Sequence, residues 1–137
     1  MDLDRALTFA ADSTRGYLIT IRRNGRPQSS NVVYHLDGGT ARISVTADRA
    51  KAANLRRDPR ASLHVSPDFG RYVVLEATAT LTQPSAEIGD DVGRELLEVY
   101  ESVAGPHPDP DEFLAAMVTD RRLVVRLAVE RAYGMLP

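Results

Sequence analysis

The chain of 137 residues is 43% hydrophobic and 26% charged, which is typical of a soluble globular protein with one domain, residues 1–137, and excludes disordered and fibrous classes. Its 17 basic and 19 acidic residues give a net charge of −2 and it has no cysteine, so nucleic acid is not an expected partner and thiol chemistry is excluded. No apolar run could span a membrane and the N-terminus lacks a secretory pattern, so we expect a cytoplasmic protein with no membrane partner.

Hydrophobic periodicity and turn signals divide the chain into six strands and four helices. Asn24-Gly25 is a strong hairpin signal between the first two strands. Asp48 is the expected N-cap of the second helix, which Pro59 ends. In chain order the predicted elements are helix 3–11, strands 17–21, 27–36 and 41–46, helix 49–57, strands 61–66 and 72–82, helices 87–104 and 112–118, and strand 123–129.

These elements predict a mainly β fold with flanking helices. Six strands joined mostly by short turns favour an antiparallel β-barrel, closed or nearly closed. Closure removes the exposed edges that apolar strands would otherwise leave open. An open sheet covered by one layer of helices is the alternative.

The sequence offers no evident catalytic group of its own. The three histidines, at positions 35, 64 and 107, lack the spacing of a zinc site, so no metal site is predicted. His35 and His64 lie on predicted strands, where a structural role is the commoner one. No nucleophile elbow, phosphate-binding P-loop or dinucleotide fingerprint is present. An enzyme with this sequence would therefore depend on a cofactor for its chemistry.

A candidate anion site lies at Arg49-Ala50-Lys51, which contains the only lysine of the chain. Within a helix these two cations would point apart, whereas an extended Arg49 would let both grip one phosphate. Ser44 and Thr46, on the preceding strand, could add hydroxyl groups. The alternative is a basic helix lying on the surface in water, and both interpretations fit these residues.

A polar stripe follows the hairpin on the second strand. Ser29, Asn31 and His35 share one face by the two-residue period of a strand. Inside a small barrel such a stripe needs polar partners, which a heteroaromatic ligand would supply. On the outside it would simply face solvent.

Four parts of the chain carry recognisable motifs: Gly25–His35, Arg49–Lys51 with Asn54–Ser62, Ala116–Arg122 and Tyr133-Gly134. In these segments the sequence resembles the F420-dependent members of the pyridoxamine 5'-phosphate oxidase-like (PPOX class) superfamily. The segments run in consistent order over nearly the whole chain, and the block from Arg49 to Ser62 is the most specific of them. One departure is the absence of tryptophan, since related sequences often carry one before the long fifth strand, where this chain has Phe69 and Tyr72.

The resemblance implies a six-stranded split β-barrel, also called the FMN-binding split barrel, that forms a homodimer with two cofactor sites at the interface. It implies hydride transfer between coenzyme F420 and an electron-poor small organic acceptor. Alternatives are an FMN-dependent enzyme or a non-catalytic carrier of a flavin or tetrapyrrole. No catalytic residue is assigned. The resemblance assigns Arg49 and Lys51 to the phosphate, with Ser44 and Thr46 nearby. It assigns Arg26, Gln28 and Asn31 to the ring or ribityl chain. Arg56, with Arg57 and Arg60, is expected at the tail carboxylates, and Asn54 of the same block is also expected to bind the cofactor.

Overall fold

The computed structural model describes all 137 residues and contains four helices and seven strands. None of the four helices is both long and apolar enough to cross a membrane. In chain order the elements are α1 (Leu3–Ala11), β1 (Arg15–Ile21), β2 (Pro27–Val33), β3 (His35–Asp37), β4 (Thr40–Thr46), α2 (Ala50–Arg57), β5 (Arg60–Asp68), β6 (Arg71–Leu81), α3 (Asp91–Ala104), α4 (Pro110–Thr119) and β7 (Arg122–Met135).

A single antiparallel sheet contains all seven strands, in the spatial order β2-β1-β5-β6-β7-β4-β3. Its two edge strands, β2 and β3, are consecutive in the chain, and only Tyr34 separates them. The sheet therefore curls until its edges come together, but no ladder joins β2 to β4 and the barrel is split there. The predicted mainly β split barrel is confirmed. It has seven strands rather than six because Tyr34 divides the predicted strand 27–36.

Tyr34 connects β2 to β3, and its backbone and its side chain both bond to the segment before β1. Its N–H donates to the Thr14 carbonyl over 2.8 Å, and its hydroxyl donates to the Ala10 carbonyl over 2.6 Å. The residue is fully buried. Burial raises the pKa of Tyr34 to about 12, although a hydrogen bond with Ser13 opposes the rise. The Tyr34 side chain thus joins the end of α1 to the connection between β2 and β3.

The barrel interior is a hydrophobic cluster supplied by alternate strand residues. Ala41, Ile43 and Val45 of β4 are buried, and the polar residues that alternate with them are partly exposed, as the sequence pattern predicted. Ala6 and Ala10 bring α1 into the same cluster. Each large aliphatic side chain buried in this way contributes about 1.5–3 kcal/mol to stability.

Helices α3 and α4 pack outside the barrel around Val124 of β7. The segment 85–112 is strongly acidic, with nine acidic residues and one basic residue. Arg42 and Arg126, which face outward from β4 and β7, both pair with Glu95 of α3. The hydrogen bond from Arg126 is the main cause that lowers the pKa of Glu95. These contacts fix the acidic helix against the basic outer face of the sheet.

Two helices begin later than predicted. Helix α2 has Arg49, not Asp48, at its N-cap, and no side chain caps its first turn. Helix α3 begins at Asp91 rather than at residue 87. The Asp90 carboxylate causes this shift because it accepts hydrogen bonds from the backbone N–H groups of three neighbours and so fixes a turn before the helix. These neighbours are Ala86, Glu87 and Gly93.

Strand β7 is 14 residues long and continues past its predicted end at residue 129 to Met135. Gly134 makes this continuation possible, since its φ is 155°. A Cβ atom at this position would lie only 2.2 Å from the Tyr72 carbonyl oxygen. Only glycine fits so close an approach of β6 and β7.

Replacing Tyr34 with phenylalanine tests the hydrogen bond from the Tyr34 hydroxyl to the Ala10 carbonyl. We expect Tyr34→Phe to lower the free energy of unfolding by about 1 kcal/mol, because the Ala10 carbonyl loses the hydrogen bond that the Tyr34 hydroxyl donates. The carbonyl keeps its longer hydrogen bond, of 3.2 Å, from the Ser13 N–H. An unfolded tyrosine ionises near pH 10 and folded Tyr34 near pH 12. The stabilising effect of this group is therefore complete below pH 10 and is lost as the pH rises to 12.

Urea unfolding at a series of pH values measures both effects. Tyr17→Phe is the matched control, since Tyr17 is exposed. A Tyr34→Phe variant with the stability and pH dependence of the wild type between pH 10 and 12 would contradict this role.

Candidate functional site

A cavity of about 670 Å³ lies where the barrel is split. Strand β2 contributes residues 31–33 to its wall and β4 contributes residues 43–46. The start of α2, the first residue of β7 and the outward-packed helices complete it. The missing ladder between β2 and β4 thus creates the space that a ligand can enter. The remaining lining residues are Arg49, Lys51, Leu96, Val99, Tyr100, Val103, Ala104, Phe113, Met117, Asp120 and Arg122.

Three cations gather at one end of this cavity. Arg49 has an extended backbone at the N-cap of α2 (φ −73°, ψ 148°), and Lys51 lies in the first turn. This is the local geometry in which both side chains can serve one anion. Arg122 is the third cation, since the β4–β7 register pairs it with Thr46.

Two hydroxyl groups orient the arginines. The Arg49 Nε donates to Thr46 Oγ1 over 3.1 Å, and the Arg122 Nη1 donates to Ser44 Oγ over 3.2 Å. Both hydroxyls lie on the outward face of β4. They therefore position the guanidinium groups and keep part of their own hydrogen-bonding capacity for a ligand.

The positive charge at this end lacks compensation. None of the three cations forms an ion pair; the ion pairs of the protein all involve other residues. Burial lowers the pKa of Lys51, and the charges of Arg49 and Arg122 lower it further. Asp120 is the one carboxylate in the cavity wall. The uncapped start of α2 adds a favourable dipole for an anion.

The other end of the cavity is apolar. Helices α3 and α4 present Tyr100 and Phe113 there, and His107 in the connecting segment packs against both rings, with centroids 5.0 and 5.3 Å apart. Val33 faces the same space from β2 and is 52% exposed. A ligand with an anionic group and a flat apolar body matches both ends.

An unusual backbone conformation turns the chain from α4 into β7. Arg121 is the one non-glycine residue with a positive φ, 52°, and its carbonyl accepts the Ala47 N–H over 2.9 Å. Residues held in this region cost free energy and are concentrated at functional sites. Here the turn sends Arg122 into the cavity and Arg121 into a neighbouring depression of about 570 Å³, which also contains Arg56 and shares Asp120 with the cavity.

Of the nine residues predicted to bind cofactor, five line the cavity. These are Asn31, Ser44, Thr46, Arg49 and Lys51. The polar stripe that includes Asn31 lies outside the barrel, with Ser29 and Asn31 exposed, because Val32 and Tyr34 point inward. Of the two interpretations of this stripe, the structure agrees with the one in which it faces outward.

The other four predicted residues lie elsewhere. Gln28 and Asn54 form a small polar network with buried Thr20, in which the Asn54 amide donates to both partners. This network joins α2 to the barrel. Arg26 is exposed in the β1–β2 turn, and Arg56 donates to the Ala47 carbonyl at the edge of the neighbouring depression.

The two further arginines expected at tail carboxylates already have partners in the protein. Arg57 donates to the Ile21 carbonyl and to Asn54, and Arg60 pairs with Asp58. Neither lines the cavity.

Comparison with known proteins gives this architecture a family. The family model described as pyridoxamine 5'-phosphate oxidase matches residues 3–136. The chain belongs to the pyridoxamine 5'-phosphate oxidase family.

Solved structures share this family fold over most of the chain. The conserved hypothetical protein Rv2991 of Mycobacterium tuberculosis is 26% identical, with a TM-score of 0.73, and the match covers 100% of this chain and 89% of that one. A heme binding protein from Mycobacterium smegmatis is also 26% identical, with a TM-score of 0.69 and coverage of 95% and 52%. An F420 reductase shares the fold at 20% identity, with a TM-score of 0.68 and coverage of 90% and 92%.

Arg122 is the one cation of the candidate site to which the sequence analysis assigned no role, although it ends the matching segment Ala116–Arg122. It is 78 residues from Ser44, to which it donates, so no local motif contains both. The run Asp120-Arg121-Arg122 before an apolar strand was the one available signal. Only the β4–β7 register brings Arg122 to the start of α2.

Lys51→Ala tests the anion site directly. We expect this variant to bind inorganic pyrophosphate roughly tenfold more weakly or worse, because a charged hydrogen bond contributes about 1.5–3 kcal/mol. Since the pKa of Lys51 is lowered, the affinity of the wild type should fall as the pH rises through that lowered pKa. Binding in this range should take up a proton, because the anion stabilises the ammonium.

Calorimetric titration in buffers of different ionisation enthalpy measures affinity and proton uptake together. Arg49→Ala is the companion variant, and Arg23→Ala, in the exposed β1–β2 turn, is the control. Wild-type affinity in Lys51→Ala would remove Lys51 from the site.

Proposed function

We propose that this protein is an oxidoreductase that binds coenzyme F420 in the split of the barrel and reduces an electron-poor small organic acceptor. The observation that carries the proposal is the continuity of the cavity. It joins three unpaired cations, Arg49, Lys51 and Arg122, to an apolar wall on α3 and α4. A cofactor with a phosphate and a flat ring system requires both.

Each group of residues has a defined task in this proposal. Arg49, Lys51 and Arg122 hold the phosphate by charge-assisted hydrogen bonds. Tyr100 and Phe113 exclude water from the apolar end. When bound, the reduced deazaflavin would supply a hydride from C5 to the acceptor and would lose a proton to solvent as its ring is oxidised. The protein's task is to position the two partners.

The depression beside the cavity supports F420 in particular. F420 carries a glutamyl tail beyond its phosphate, and the depression offers it Arg56 and Arg121 beside the carboxylates of Asp48 and Asp120. The fold shared with an F420 reductase is consistent with this assignment.

FMN is the second candidate. Its terminal phosphate needs only a short cationic clamp, and the cluster of Arg49, Lys51 and Arg122 is one. The engagement of Arg57 and Arg60 with protein partners favours FMN, because it removes two cations from any longer groove.

We infer that two copies of the chain associate through the outer face of β6 and β7. Tyr72 pairs with Met135, and Val74 pairs with Tyr133, so all four side chains share one face. Tyr133 is 53% exposed and Met135 is 62% exposed. Contiguous exposed apolar groups of this kind mark association surfaces.

Fluorescence titration with F420 and, in parallel, with FMN tests the cofactor assignment. We expect micromolar or tighter F420 binding and weaker FMN binding. Arg121→Gln should weaken F420 several-fold by loss of a partly exposed charged contact and leave FMN unchanged, since FMN has no tail. Arg22→Gln, in the exposed β1–β2 turn, is the control.

Tighter binding of FMN, with no effect of Arg121→Gln on either ligand, would support the FMN candidate against F420. Binding of neither would contradict both assignments.

Sedimentation equilibrium tests the association. We expect the wild type to have twice the mass of one chain and Tyr133→Glu to shift toward the monomer, because a carboxylate cannot be buried unpaired in an apolar interface. Phe69→Glu is the control, since Phe69 is a fully exposed aromatic residue in the β5–β6 turn. A monomeric wild type would contradict the inference.

A further inference from the structure

A second cavity lies on the other side of β2. Its volume is about 750 Å³, and its walls come from the turn after α1, the start of β1, residues 31–33 of β2 and the end of β5. The cofactor site described above uses none of its residues except those of β2. The polar residues that line it include Arg15, Ser13 and Thr14.

The two cavities are separated by a single strand. Residues 31–33 line both of them, and strands in a sheet are only about 4.8 Å apart. Asn31 and Val33 point outward and are exposed. The two cavities therefore adjoin at these two side chains, and ligands bound in them can approach each other there.

The chemistry of the second cavity differs from that of the first. The β1–β2 register pairs Arg15 with Val33 and Tyr17 with Asn31, so these four side chains form one patch on the outer face. Arg15 forms no ion pair, and its planar guanidinium suits a carboxylate or nitro group.

An aromatic surface lies beside this cation. Tyr17 is 46% exposed and packs edge-on to His64, with ring centroids 6.1 Å apart. Its remaining face can contact a flat ring. Asp12 is the one carboxylate in the wall.

We propose that this second cavity binds the acceptor and that the acceptor is a small planar organic anion, held at Arg15 and against Tyr17. The proposal rests on the proposed function, since it makes the shared strand the contact between cofactor and acceptor.

The probe for this site is 4-nitrobenzoate, with neutral 4-nitrobenzamide as its matched analogue. Nuclear magnetic resonance titration of the protein without cofactor reads binding directly. We expect 4-nitrobenzoate to shift the amide signals of Thr14, Arg15 and Tyr17, and the amide analogue to bind more weakly. Arg15→Gln should weaken 4-nitrobenzoate roughly five- to tenfold, in keeping with the loss of one charged hydrogen bond.

Three variants sharpen the test. Arg23→Gln, an exposed arginine remote from the cavity, should bind 4-nitrobenzoate as the wild type does. Asp12→Asn should bind it more tightly, because the one repelling carboxylate is removed. Lys51→Ala should weaken any binding of the probe in the first cavity and leave the shifts of Thr14, Arg15 and Tyr17 in place, because Lys51 lines only the first cavity.

Equal affinity of Arg15→Gln and wild type, shifts confined to the first cavity, or no binding of 4-nitrobenzoate would overturn the proposal. The titrations with F420 and FMN are read separately. Failure of both cofactors to bind would contradict the proposed function, whereas failure of Arg15→Gln to weaken the probe would contradict only the second site.

Discussion

The buried contact between the Tyr34 hydroxyl and the Ala10 carbonyl fixes the point at which the chain passes from one edge of the sheet to the other. It joins the residue between the two edge strands, β2 and β3, to the end of α1. Strands β2 and β3 then diverge, and β2 forms no ladder with β4. Every feature of the candidate site depends on that gap, since its walls are the two strands that do not pair.

Long-range register supplies the charge at the gap. The β4–β7 pairing places Arg122 opposite Thr46, at the point where the chain leaves β4 for α2. Local backbone geometry supplies the other two cations, because Arg49 remains extended and Lys51 enters the helix. Three positive side chains from two distant segments therefore converge, and none of them forms an ion pair. Such an arrangement is unfavourable on its own and becomes favourable when an anion binds.

The sequence predicted most of the elements and two of the three cations in the charge cluster. Alternation on β4 and β6 predicted the barrel face correctly, because each inward residue is apolar. Spacing at Arg49 and Lys51 predicted an anion site on the condition that Arg49 is extended, and that condition is met. The structure shows the extended residue at the N-cap, where Asp48 had been expected.

The misplaced residues share one physical reason. Gln28 and Asn54 are polar residues near the predicted site, but their hydrogen bonds are satisfied by each other and by Thr20, which no local pattern reveals. Arg60 is likewise occupied by Asp58. Arg122 was missed for the opposite reason, since its partner Ser44 is distant in the chain. Partner choice among polar groups is a tertiary property, whereas apolar periodicity is a local one.

The central claim is that the phosphate of the cofactor lies among Arg49, Lys51 and Arg122 in the split of the barrel. A crystal structure of the protein with coenzyme F420 tests it most directly. The account predicts phosphate density within hydrogen-bonding distance of these three side chains, with the ring toward Tyr100 and Phe113. Density for F420 at any other surface of the protein, with the three cations left in contact with solvent, would contradict it.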